Sequence, residues 1–157
     1  MKNKTNAMRL LDSAHIKYEP LEYEVDENDL SGLHIAKQLS RDPDSMFKTI
    51  VAKGEKNGLL VFCIPVSCEI NLKKAAAAAD DKRVELLPVK ELLANTGYIR
   101  GGCSPIGMKK KYRTFIDESC MLFEKITISA GIRGCQLLVN TEELVSFIEA
   151  EVCDITA

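Results

Sequence analysis

The chain has 157 residues, 46% hydrophobic and 28% charged, with a formal net charge of -2, which excludes a disordered or fibrous chain and allows one soluble domain with a sizeable core. The slight acidity also excludes binding of nucleic acid over the whole surface, so any polyanion contact must come from a local cluster of Lys and Arg. The longest strongly apolar run, residues 59–66, is far too short to span a bilayer.

Residues 1–6 are polar and lead into no apolar signal core. Over residues 5–14, Ala7, Met8, Leu10, Leu11 and Ala14 recur at helical spacing and predict a first helix. Residues 18–24 alternate around Pro20, which predicts an edge strand because proline has no N–H for a ladder. A polar loop over 26–32 leads to a short helix marked by Leu33, Ala36 and Leu39 and stopped at Asp42-Pro43-Asp44. Two strand-like runs, 46–53 and 59–65, are joined through Asn57-Gly58, a hairpin turn signal. Asn71 can cap a helix containing Lys73, Lys74 and the alanines 75–79, whose small side chains favour helix and predict close packing on a sheet. Residues 84–87 read as a strand, and 89–96 as a helix closed by Gly97. After a glycine loop, residues 114–117, 126–129 and 137–139 read as further strands. Asn140 with Glu143 resembles a capping box opening a last helix over 141–151. No repeat or linker divides the chain. The expectation is a single domain over residues 1–157: mixed α/β, a mixed sheet closed or nearly closed into a barrel, surrounded by helices.

Three segments could carry chemistry. In the first, Gly101 and Gly102 let the main chain approach a ligand with no Cβ in the way. Ser104 and Pro105 follow, and exposed N–H groups in such a turn can cradle a carbonyl oxygen or an anion; a plain connecting loop is the alternative. Directly after come Lys109, Lys110, Lys111 and Arg113, which are either a solvated face or a lip for phosphates. In the second segment, Lys48 sits between Phe47 and Thr49 in an apolar strand-forming run, where a lysine facing a cleft can stabilise a developing oxyanion and one at a sheet edge merely reaches solvent. In the third, Ser129, Gly131, Arg133 and Gly134 follow a strand end; a tight hairpin explains the glycines but not the arginine. Tyr23 is either a cleft wall or a core tyrosine.

Neither His15 nor His34 has a motif around it, so no Ser-His-Asp triad assembles. An enzyme built on these segments is expected to act on an already activated bond, where positioning and oxyanion stabilisation suffice. The six cysteines, at 63, 68, 103, 120, 135 and 153, contain no Cys-x-x-Cys pair, so neither a metal site nor a cofactor is expected, and free thiols fit a reducing, cytoplasmic compartment.

With the three segments in this order, the chain resembles the YbaK family, free-standing relatives of the prolyl-tRNA synthetase editing domain. The matching residues are Phe47-Lys48-Thr49, then Thr96-Gly97-Tyr98 leading into Gly101-Gly102-x-Ser104-Pro105-x-Gly107-x-Lys109-Lys110, then Ser129-x-Gly131-x-Arg133-Gly134. The resemblance implies a deacylase of misacylated tRNA, with Cys-tRNA(Pro) as substrate, no cofactor, and the tRNA 3′ end and acceptor stem as partners alongside prolyl-tRNA synthetase. It implies that Lys48 is the principal catalytic lysine, that Gly101, Gly102 and neighbouring backbone bind the aminoacyl end, and that Tyr23, Thr49, Ser104, Pro105, Ser129, Gly131, Arg133 and Gly134 line or shape the pocket. Lys109 to Arg113 would then meet acceptor-stem phosphates. The chain departs from the pattern at Gln136, where some relatives carry an acid; an amide can neither act as a base nor hold an ammonium by charge. Ala-tRNA(Pro) as substrate, or a non-catalytic module binding an aminoacyl or nucleotide ligand, are the alternatives.

Overall fold

A computed structural model describes residues 3–157. Its strands are β1 (Tyr18–Glu22), β2 (Phe47–Gly54), β3 (Gly58–Pro65), β4 (Val84–Leu86), β5 (Arg113–Asp117), β6 (Lys125–Ser129), β7 (Cys135–Asn140) and β8 (Glu151–Cys153). They form two sheets: three strands in the order β1-β7-β6, and five in the order β4-β2-β3-β5-β8. The first sheet is antiparallel. The second is mixed, because β5 runs parallel to both β3 and β8.

The expected closure into a barrel does not occur. Among the described residues the only backbone pairing between the two sheets is an isolated bridge, Met46 to Thr127. The C-terminal half of β2, Ala52 to Gly54, is taken by β4 on that edge, so the ladder cannot continue round and a seam stays open beside the start of β2.

Each predicted helix forms, and all but the fourth begin with a side-chain cap. Thr5 caps α1 (Asn6–Ser13), Ser31 caps α2 (Gly32–Gln38), and Asn71 caps α3 (Leu72–Ala78), accepting from the N–H groups of Lys73 and Lys74. A short 3-10 turn, Val89–Glu91, leads into α4 (Leu92–Thr96). Asn140 accepts from Glu143 N–H at 3.0 Å and opens α5 (Thr141–Phe147). The last helix is shorter than its sequence predicts. The chain turns out of it at Glu149, in the left-handed region at φ 53, and residues 151–153 add to β5 instead.

Alternation along the strands builds two cores. Phe47, Val51, Val61 and Cys63 face the three-stranded sheet and pack on Ile126, Ile128, Leu137 and Val139. Ala52, Leu60, Phe62, Ile64 and Phe115 face the other way, against Ala75, Ala76 and Ala79, with the Phe62 and Phe115 rings stacked at 5.1 Å. A third cluster, Ile35, Ala36, Met46 and Val66, seats α2 beside the seam. Among the described residues no helix is long and apolar enough to cross a membrane.

Candidate functional site

The open seam is a cleft of about 420 Å³. One wall is the start of α2 with the residues just before it; the other is the glycine loop. Lys48 and Thr49 from β2, Gly101 and Cys103 from the loop, Ser129 from the end of β6 and Gln136 from β7 all line it.

Phe47 is fully buried and pins the start of β2. Lys48 then shares its face with Ile50 and Ala52, while Thr49 shares the face of Phe47 and Val51. On the edge away from β3, this part of β2 has no strand neighbour beyond the Met46 bridge among the described residues, so the seam exposes both residues to the cleft. The Lys48 ammonium has no hydrogen-bond or ion-pair partner among the described residues. Burying or crowding such a group without compensation is unfavourable, and a cleft that admits an anionic oxygen offers that compensation.

The two glycine loops support each other. Gly101 is left-handed, φ +85, and Arg133 lies across it: a Cβ there would sit 3.3 Å from Arg133 Nε. That Nε donates to the Arg100 carbonyl at 2.8 Å, which accounts for the arginine a simple hairpin left unexplained. At Gly102 a Cβ would sit 3.0 Å from the Ile132 carbonyl carbon and 3.1 Å from Arg133 N, so the second glycine is required by backbone-to-backbone contact. Gly131 packs on the Tyr98 ring, and the Gly134 carbonyl accepts from Tyr23 N–H at 2.9 Å.

Several sequence-predicted site residues therefore stand behind the cleft rather than on its wall. Tyr23 packs on the Ile35, Ala36, Met46 and Val66 cluster. Ser104 is fully buried and accepts from Ile106 N–H at 3.2 Å. Pro105 lines a separate depression with Lys110 and Lys111. Gly102, Gly131, Arg133 and Gly134 buttress the loop. Ser129 is on the wall, yet its Oγ accepts from Gly131 N–H at 3.1 Å and so fixes its own turn.

The four cations lie off the cleft. Lys111 pairs with Glu149, and Arg113 pairs with Glu151 at 3.2 Å while its guanidinium lies 5.0 Å over the Phe115 ring. Lys109 reaches the Ala94 carbonyl at 3.5 Å, leaving Lys110 as the one of the four without a partner among the described residues. His15 is exposed, and His34 lies 3.8 Å from Asp29 and 4.0 Å from Asp26; neither lines the cleft.

Two charged groups on the cleft escaped sequence reasoning, Arg100 and Glu69. Arg100 adjoins Gly101 and was within reach of it. Glu69 carries no local signal, because the C-terminal segment positions it through Ala157 N–H on its carbonyl and the Ile70–Thr156 bridge. Cys103 is the cleft thiol, and burial pushes its pKa up to about 12, so it is protonated at neutral pH and a poor nucleophile. Cations, backbone turns and no activated nucleophile together suit a substrate whose bond is already labile.

The aminoacyl-tRNA editing domain model matches residues 33–147. A candidate Cys-tRNA(Pro)/Cys-tRNA(Cys) deacylase of Enterococcus faecalis, EbsC, is 42% identical over 153 residues, covering 98% of this chain and 93% of that protein. A proline–tRNA ligase of Brachyspira hyodysenteriae is 35% identical over 75 residues, 48% of this chain and 13% of the ligase. The crystal structure of a candidate trans-editing enzyme for prolyl-tRNA synthetase superposes with a TM-score of 0.82 at 19% identity, covering 99% of each chain, a likeness of fold.

Proposed function

The chain belongs to the aminoacyl-tRNA editing domain family, and from that premise we propose that it is a free-standing proofreading deacylase that hydrolyses the ester of misacylated Cys-tRNA(Pro). The relative that is 42% identical over nearly the whole chain carries the same substrate in its name. The observation that carries the proposal is Lys48, whose unpartnered ammonium shares one cleft with Gly101 and Ser129.

A synthetase pocket separates substrates differing by one methylene by only ~1–3 kcal/mol, so a synthetase for proline that mistakes cysteine gains from a second site that destroys the product. An aminoacyl ester is activated, and with Cys-tRNA the attacking group is the substrate's own thiol. The C–S bond forms as the C–O bond to the tRNA 3′ oxygen breaks, the thiol proton ends on the departing 3′-hydroxyl, and water opens the thiolactone to cysteine. Lys48 and the Gly101 amide stabilise the oxyanion formed on the carbonyl, while the Gly102 N–H donates to the Ile99 carbonyl at 3.0 Å and closes the turn. Thr49 and Ser129 shape the pocket. Tyr23, Ser104, Pro105, Gly131, Arg133 and Gly134 hold its walls. Lys109, Lys110, Lys111 and Arg113 meet acceptor-stem phosphates, Lys110 foremost. One domain over residues 1–157 performs the reaction in the cytoplasm, and prolyl-tRNA synthetase supplies recognition of the tRNA body.

The test is deacylation of Cys-tRNA(Pro), Ala-tRNA(Pro) and Cys-tRNA(Cys), with and without the synthetase. Cys-tRNA(Pro) should be cleaved fastest, and Lys48→Ala should slow it by about a hundredfold or more with the fold intact. A variant as fast as the native chain overturns the role of Lys48. Preference for Ala-tRNA(Pro) overturns the thiol mechanism, and binding without turnover on any ester means a non-catalytic module.

A further inference from the structure

Gln136 lines the cleft without a role in the proposed reaction. It is 6% exposed, and its Oε1 has no hydrogen-bond partner. A buried amide oxygen without a donor is unfavourable and rare. The strand it belongs to gives it no freedom to look elsewhere. β7 is the central strand of its sheet, and Gln136 is paired with Ser129 on one side and Leu21 on the other. Cys135 and Leu137, its neighbours in sequence, point into the first core, so Gln136 and Ser129 share the opposite face. Of the hydroxyls on the wall, Ser129 Oγ accepts from Gly131 N–H at 3.1 Å and Ser31 Oγ from His34 N–H at 3.3 Å, while Thr49 Oγ1 has only the Cys63 Sγ at 4.0 Å. Gln136 therefore brings an unpartnered buried acceptor to the wall. Because Oε1 itself has almost no accessible surface, rotation of the amide about its last side-chain bond is what presents it to a donor in the cleft.

An aminoacyl ester brings one strong donor at its reacting end, the α-amino group. We propose that the Gln136 side-chain carbonyl accepts a hydrogen bond from that amino group and, being neutral, selects its uncharged form. This rests on the deacylase function proposed above and names the specificity-determining residue of the same site. The titratable and charged groups on the cleft are Lys48, Glu69, Arg100 and Cys103. Lys48, half-buried, repels an ammonium, the thiol is protonated, and Arg100 and Glu69, of opposite sign, are both exposed. An ammonium deep in the cleft would thus be desolvated with no buried countercharge, which is strongly unfavourable, whereas a free amine only needs an acceptor. α-Amino groups lose their proton at about pH 7.7–8.0, so the selected form is available under ordinary conditions.

The experiment measures kcat/KM for Cys-tRNA(Pro) from pH 6 to 8.5 with the native chain, Gln136→Glu and Gln136→Met, each first checked for its melting temperature. Glutamate keeps the acceptor and adds charge, so it should favour the ammonium. The ratio of native to Gln136→Glu rates should then rise with pH, by up to about tenfold per unit below the amine pKa. Gln136→Met, similar in size but without an acceptor, should lose discrimination against the desamino substrate, 3-mercaptopropionyl-tRNA(Pro), which the native chain should bind with a higher KM than Cys-tRNA(Pro). Parallel pH profiles, or a native chain that treats the desamino ester as it treats Cys-tRNA, overturn the assignment while leaving the deacylase standing. If Gln136→Glu fails to fold, the Gln136→Met comparison decides alone. A native chain that cleaves none of these esters removes both.

Discussion

Lys48 and Gly102 sit in the same region for opposite reasons. The lysine is a polar group left without a partner, and the glycine is a contact with no room left. A methyl group at Gly102 would press on the backbone of Ile132 and Arg133 at 3.0–3.1 Å, and backbone cannot rotate aside as a side chain can. Gly102→Ala should cost about 1–3 kcal/mol, which for a chain of this size is a drop of several degrees in melting temperature at about 2–4 °C per kcal/mol, and kcat/KM should fall with it. Unchanged melting and turnover would mean that the two loops are not locked together. Cys103 gives the contrasting expectation. Its thiol, pushed by burial up to about 12, has almost no thiolate at neutral pH, so Cys103→Ser should leave turnover within a factor of about three. Complete loss would point to an enzyme-bound thioester in place of the substrate-thiol route.

At the level of elements, α3 shows what its alanines are for. Ala75 and Ala79 are fully buried against Phe62, Ile64 and Phe115 of the five-stranded sheet. Small side chains let the helix lie close to the strands, and larger ones would have to displace them. Ala75→Leu should destabilise by about 1–3 kcal/mol through overpacking, read from urea midpoints, even though leucine is nearly as good a helix former as alanine. A neutral or stabilising result would mean that the helix floats above the sheet. The cap is separable from the packing: Asn71→Ala removes the acceptor for Lys73 and Lys74 N–H and should cost about 1 kcal/mol.

Across the whole molecule, alkaline pH acts on thiols that are buried, Cys63 and Cys120, or half-buried, Cys103 and Cys153. Burial raises Cys63 and Cys103 to about 12 and Cys120 and Cys153 to about 11, whereas a thiol in the unfolded chain ionises at about 8.5. The folded state holds these protons more tightly, so their contribution to stability is complete below about pH 8.5 and declines as pH rises toward the folded values. Melting temperatures in reducing buffer should hold near pH 8 and fall by pH 10, less steeply in Cys63→Ala. A flat profile to pH 10 would place those thiols in contact with water. The docking of tRNA belongs to the same scale. Lys111 and Arg113 already have exposed carboxylate partners, pairs worth little in water, so their charge remains available to phosphate. Lys110→Glu should raise KM for tRNA and lower the salt slope of binding by about 1–2; an unaltered slope would leave these cations to solvent.

How much of this was legible in the chain itself follows from the range of the interactions. Helix caps at Asn71 and Asn140 and the Asn57-Gly58 hairpin are written in neighbouring residues, because capping and turn geometry are satisfied within a few positions. The three segments around Lys48, Gly101 and Ser129 were legible too, as was their likeness to one family. Whether the sheet closes was not, since that depends on β4 occupying the edge of β2 that β6 would otherwise continue. β8 exists only because β5 presents an edge to it. The division of the glycine-loop residues into a wall and a buttress, the arrival of Glu69 and Arg100 on the cleft, and the unpartnered carbonyl of Gln136 likewise arise from contacts between segments far apart in the chain. Local chemistry chose the elements, and the way two open sheets meet decided which side chains face the hollow between them.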